Sequence, residues 1–212
     1  YEICACLVGS EMCIRDRMQT EERRLTVERN VPVDALYMAF HMCSRNHPDY
    51  YAFDMLSDLL SSGRSSRFVQ HLVQDKQIFN SIDAYISGSI DNGLFHIVGK
   101  PAPEKTLEEA EKAIWEELAL LTEGSIDENE LEKVKNRYES EQIFNNLNYL
   151  NVATNLAYFE LIGKAEDINT EVEKYRSVTQ EQIKRAAKQT FLPENCSVLY
   201  YKAAAKGASH TP

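Results

Sequence analysis

From Arg23 onward the apolar and polar positions fall into regular periods. The run "RRLTVERN" alternates, as a strand with one covered face does, and Pro32 breaks it. The run "DALYMAFHMC" (34–43) predicts a second strand. Leu36, Met38, Phe40 and Met42 share one face of it, and Tyr37, Ala39, His41 and Cys43 the other. His47-Pro48-Asp49 then opens a helix with apolar positions at Tyr51 or Ala52, Met55, Leu56, Leu59 and Leu60, a stripe suited to packing on a flat surface. Ser61-Ser62-Gly63 ends it, because glycine accepts the positive φ of a C-terminal cap. Ser65 or Ser66 is placed to cap a following helix that carries Phe68, Val69, Leu72 and Val73. Two strands are predicted at 78–89 and 93–100, with Asp91-Asn92-Gly93 as the hairpin signal between them.

The second half is helical. Thr106 with Glu109, Asp127 with Glu130, and Thr179 with Gln182 have capping-box spacing and predict helices over 106–123, 127–146 and 179–191. Leu131, Val134 and Tyr138 form the buried stripe of the middle one. Further helices are expected over 148–163 and 168–177, and "CSVLYY" (196–201) closes the chain as a strand. The expectation is an α+β fold. It has a mixed, mostly antiparallel sheet of five to six strands, helices on one face, and the first and last strands in the same sheet.

Length and charge narrow the function. The 212 residues are enough for one large domain with a real core. The net charge of −10 repels a phosphate backbone, and the lysines and arginines are scattered among glutamates, so no nucleic-acid partner is expected. No apolar run approaches the roughly 20 residues of a membrane span. The five cysteines, Cys4, Cys6, Cys13, Cys43 and Cys196, are odd in number and give no disulfide framework. Residues 1–22 read as an unstructured leader. Within it "CLVGSEMCIRDR" is similar to translated sequencing adapter, so a natural chain truncated at this point is expected. Residues 203–212 read as a flexible tail. The compartment is left open, with a cytoplasmic or periplasmic bacterial protein as the expectation.

Candidate chemistry is sparse. None of His41, His47, His71, His96 and His210 sits in H-E-x-x-H or H-x-x-E-H, the spacings that bring two imidazoles and a glutamate to one helix face. His71 and Asp75 are an i, i+4 pair without a third ligand, which reads as a surface contact; His41 and His96 read as packed or edge residues. Ser65 and Ser66 lack the G-x-S-x-G elbow, and Gly63–Ser66 lacks the phosphate-loop pattern. The glutamates of "EEAEKAIWEELALLTE" (108–123) read as solvated.

One stretch does resemble a family. "LLSSGRSSRFVQHLVQDKQIFNSIDAYISG", with Gly63, Ser65, Ser66, Arg67, Gln70 and Leu72 in register, is similar to the C-terminal, noncatalytic domain of pitrilysin- or insulinase-type zinc metallopeptidases, the group that includes mitochondrial processing peptidase. "KTLEEAEKAIWEELALLTEGSIDENELEKVKNRYESE" resembles that domain's long helix pair, and the likeness runs from Arg23 to Lys202. The resemblance implies a domain over 23–202 that forms one wall of a substrate chamber for a peptide or unfolded polypeptide. It also implies a partner, either a zinc-bearing N-terminal half or a separate catalytic subunit, that holds Zn2+ on H-x-x-E-H. This chain would hold no metal and supply no catalytic residue. Many members place an Arg and, seven residues later, a Tyr on the chamber wall; those positions fall at Val73 and Asn80 here. The departure keeps open a second reading, a structural or regulatory subunit with no proteolytic role.

Overall fold

The computed structural model describes residues 19–88 and 90–204. Most of the predicted leader, the end of the predicted tail, and with them Cys4, Cys6, Cys13 and His210 lie outside the described residues. Strands β1 (Arg23–Arg29), β2 (Ala35–Ser44), β3 (Phe79–Ile86), β4 (Asn92–Pro101) and β5 (Cys196–Ala203) form one sheet in the order β1-β5-β2-β4-β3. The β1–β5 pair is parallel and the other three pairs are antiparallel, so the first and last strands lie side by side. The expected α+β class with a mixed, mostly antiparallel sheet is therefore the one found. Gln19, ahead of β1, is also buried: it donates to the Cys196 carbonyl at 2.7 Å and accepts from Ser197 at 3.2 Å.

Alternation along β2 sets the layering. Leu36, Met38, Phe40 and Met42 are buried beneath the helices, while Tyr37 points away and is 39% exposed. Helix α1 (Tyr50–Ser61) lies against β3 through its stripe of Met55, Leu56, Leu59 and Leu60. Helices α2 (Leu107–Glu123) and α6 (Gln180–Thr190) pack on each other and on β2. Phe40 makes edge contacts with Trp115 at 5.7 Å and Phe191 at 5.2 Å, and Phe191 meets Phe95 at 5.1 Å, which locks the helical layer to the middle of the sheet. Gly99 lets Phe79 lie across β4, because a Cβ there would come within 2.3 Å of its ring.

Several local expectations change. The helix after Gly63 is a π-helix (Phe68–Asp75), closed by Lys76 N–H to the His71 carbonyl. Ser66 does not cap it by accepting. Its hydroxyl donates to the Gly63 carbonyl at 2.7 Å, and Ser65 accepts from Lys133 instead. Gly63 itself has φ +90°, as its cap position predicts. Thr106 and Thr179 form full capping boxes. Asp127 caps α3 (Glu128–Asn145) through Asn129 N–H alone, because Glu130 is drawn away to Arg67, which holds it with two bonds of 2.9 Å. The helix expected over 168–177 divides into a 3₁₀ turn (Ala165–Asn169) and the short α5 (Glu171–Arg176), after α4 (Tyr149–Ile162).

Candidate functional site

Residues that could do chemistry are mostly engaged elsewhere. His71 is not paired with Asp75: its Nδ1 lies 2.7 Å from Glu117, which also takes Lys76 at 3.3 Å. Glu117 and Glu111 are buried, contrary to the solvated face expected of α2. Glu111 accepts two bonds from Arg24 (2.7 and 2.8 Å), one from Tyr200 (2.5 Å) and one from Trp115 (3.3 Å). Burial works to raise its carboxyl, but those donors outweigh it and hold the pKa below the ordinary value. His96 stacks on Tyr85 at 4.9 Å, and burial lowers its pKa. Burial pushes the Cys43 thiol up to about 11 and that of Cys196 up to about 12, so neither supplies a thiolate near neutrality.

A second polar cluster sits under α1. Arg45 pairs with Glu171, which also accepts from Tyr51 at 3.1 Å. Tyr175 donates to Asp54 at 2.5 Å and stacks on Tyr138 at 3.6 Å. Burial raises the Asp54 carboxyl against the Tyr175 bond, and burial together with the Asp54 charge pushes Asp58 up to about 6. Arg45 and Tyr51 with Glu171, and Tyr175 with Asp54, satisfy one another and brace α1 against α3 and α5, while Asp58 has Ser62 as its hydrogen-bond partner.

The open chemistry lies at the end of the π-helix. Val73 and Asn80 line one groove of ≈ 620 Å³ with Lys76, Gln77, Glu104 and Lys105. Strand β3 is a sheet edge that begins beside this groove; farther along it α1 lies against the strand and the Ser61 hydroxyl donates to the Ala84 carbonyl at 2.9 Å. Gln77 takes φ 51°, which turns the chain from the π-helix into β3. Lys76, Gln77 and Lys105 were not singled out from sequence; the signal available was their polarity next to the two positions the resemblance marked. A second surface, the face of the sheet opposite the described helices, forms a shallow depression of ≈ 430 Å³ bordered by Arg23, Leu25, Tyr37, His96, Val98 and Leu199.

A family model described as the peptidase M16 inactive domain matches residues 15–138, which include the corner, the groove's Val73 and Asn80, and the first helix pair. The chain belongs to the peptidase M16 inactive domain family. Among curated relatives, a zinc protease of Bacillus subtilis (strain 168), YmxG, is 24% identical over 178 residues, 83% of this chain and 43% of that protein. The crystal structure of a protease from Helicobacter pylori superposes with a TM-score of 0.82 at 22% identity, covering 88% of this chain and 45% of its own. The inactive peptidase domain of a zinc protease from Bordetella parapertussis gives 0.73 at 16% identity, over 82% of this chain and 95% of that one. This M16 chain thus spans less than half the length of the curated relative it matches.

Zinc is the metal that the names of the Bacillus subtilis and Bordetella parapertussis relatives carry, and the donor set here does not fit it. Among the described residues no three His, Cys, Asp or Glu side chains come together as a metal site. His71 faces Glu117, His96 faces Tyr85, and the hydrogen bond that His47 Nδ1 accepts comes from the Asp49 N–H. Among the same residues no helix is long and apolar enough to cross a membrane.

Proposed function

We propose that this chain is the noncatalytic wall of a peptide chamber in an M16 zinc metallopeptidase. A zinc-bearing half, joined to it or carried on a separate subunit, supplies the H-x-x-E-H metal and the chemistry. The observation that carries the reading is the half-length match: the fold runs over 88% of this chain yet covers only 45% of a protease. A chain with no metal-holding cluster of its own among the described residues fits the role of the other half. Peptide contact is assigned to the groove at Val73 and Asn80, where the β3 edge offers main-chain partners to an extended substrate. Lys76, Gln77 and Lys105 stand there in place of the Arg and Tyr of other members. The substrate is a peptide or an unfolded polypeptide, since a main-chain edge reads backbone rather than a folded surface.

One observation favours a second reading, a structural or regulatory subunit: the replaced residues at Val73 and Asn80. A kinetic experiment separates the two. The chain is mixed with a separately expressed zinc-bearing H-x-x-E-H half, and cleavage of a fluorogenic peptide is followed with and without chelator. The chamber reading expects chelator-sensitive cleavage that depends on the chain, and a raised KM when Asn80→Trp fills the groove. Equal rates with and without the chain overturn it in favour of the structural reading.

A further inference from the structure

Arg45 follows the end of β2 that lies farthest from the Val73 groove. Ser44 pairs with Asn92 and Phe79 with Pro101, so the two places stand at opposite ends of β4, on the order of 30 Å apart along that strand. The Arg45 side chain is only 8% exposed, and its guanidinium lies over the Tyr50 ring at 4.3 Å and the Tyr51 ring at 5.3 Å. Its Nη2 donates to Glu171. Neither Nε nor Nη1 makes a hydrogen bond among the described residues, yet no fully buried side-chain nitrogen or oxygen there lacks a partner. Those two nitrogens therefore have an opening beside them. It is a cavity of ≈ 220 Å³ that Arg45 lines, between the loop after β2 and the end of α4.

The cavity has a charged wall and an apolar one. On the charged side Arg45 and Lys174 are two cations that share one carboxylate, with Lys174 Nζ 3.6 Å from Glu171. His47 stands on the same wall; its Nδ1 accepts the Asp49 N–H, so the neutral ring carries its proton on Nε2 as a further donor. The apolar side is Phe159 and Ile162 of α4 with Pro48. Asp167 is the opposing charge: one of its oxygens accepts the Lys164 N–H at 3.1 Å, and its presence disfavours a ligand with more than one negative charge. A desolvated guanidinium with spare donors in a fixed fork is matched by a carboxylate, through charge-assisted hydrogen bonds.

We propose that this cavity binds a small monocarboxylate with a compact apolar body. Its carboxylate sits on Arg45 and Lys174, and its body lies against Phe159 and Ile162. The volume equals roughly seven water molecules, so the ligand is a free acid of that size or the last residue of a chain that ends in a carboxylate. The site is separate from the Val73 groove and does not rest on the chamber reading, since it needs neither zinc nor a second half.

Calorimetric titration of the 212-residue chain with 4-methylpentanoate tests it. The acid should bind at one site with a Kd of about 1 mM, and 4-methylpentanamide, its neutral isostere, about tenfold more weakly. Ile162→Trp, which fills the apolar side, should abolish binding. Lys174→Ala, at a half-exposed position, should weaken it about fivefold with the melting temperature unchanged. Acetyl-glycyl-leucine separates the two sources: tighter binding than the free acid assigns the site to a chain end, weaker binding to a free acid, and both keep the carboxylate site. Equal affinity for acid and amide overturns the proposal. So does binding untouched by both variants, or no binding heat up to about 20 mM acid.

Discussion

Replacing Glu111 by alanine should cost this fold about 3 kcal/mol. The carboxylate joins β1, β5 and α2 by accepting from Arg24, Tyr200 and Trp115. Tyr200 is buried, so its hydroxyl would be left without its acceptor, a loss of about 1–3 kcal/mol. Arg24 is 43% exposed and regains water, so its ion pair adds only ~0–1 kcal/mol. The one lost methylene, Cγ, adds about 0.8 kcal/mol. For a domain of this size the sum corresponds to a fall of about 6–12 °C in melting temperature. Urea unfolding measures it, with the m-value expected to stay constant while the midpoint drops. Tyr200→Phe in the Glu111→Ala background removes the stranded hydroxyl, so the double variant should be less destabilised than the sum of the two singles. A single-variant loss below about 0.5 kcal/mol, or strict additivity in the double, would refute the reasoning.

Two further perturbations follow from the same packing. The Asp58 carboxyl, raised to about 6, favours the folded state below the unfolded-state value near 3.9 and loses that contribution as pH rises through 6. Asp58→Asn should therefore be more stable than wild type by about 1 kcal/mol at pH 8, after discounting for its partial exposure, and show no gain at pH 3.5; a gain of equal size at both values contradicts the assignment. Gly63→Ala should cost about 1–2 kcal/mol, because φ +90° is strained for a residue with a Cβ and the Arg137 guanidinium lies 3.1 Å from where that Cβ would be; an unchanged urea midpoint would show that the corner relaxes.

Period-based reading reached the elements that bury one face. Strand β2 alternates cleanly because its even positions lie under the helices, and α1 shows its stripe because it sits on a flat sheet. The two capping boxes at Thr106 and Thr179 form as spaced. Legibility failed where a distant partner outbid a local one. Glu130 has the right spacing to close a box with Asp127, but Arg67, 63 positions away, takes it. Glu111 and Glu117 have the pattern of a solvated face and are buried by Arg24, Tyr200, His71 and Lys76, none of which is near them along the chain. The i, i+4 pair of His71 and Asp75 dissolves for the same reason, helped by π-helical winding. The groove was legible only as two positions, Val73 and Asn80. The lysines and Gln77 beside them arrive through the turn into β3 and the loop after β4.

The most direct test of the central claim is zinc content and peptide hydrolysis of the purified 212-residue chain, alone and in equimolar complex with a zinc-bearing H-x-x-E-H half. The account predicts no stoichiometric zinc and no cleavage for the chain alone, and one zinc with chelator-sensitive cleavage for the complex. One zinc per isolated chain, with cleavage that a chelator abolishes, would contradict it.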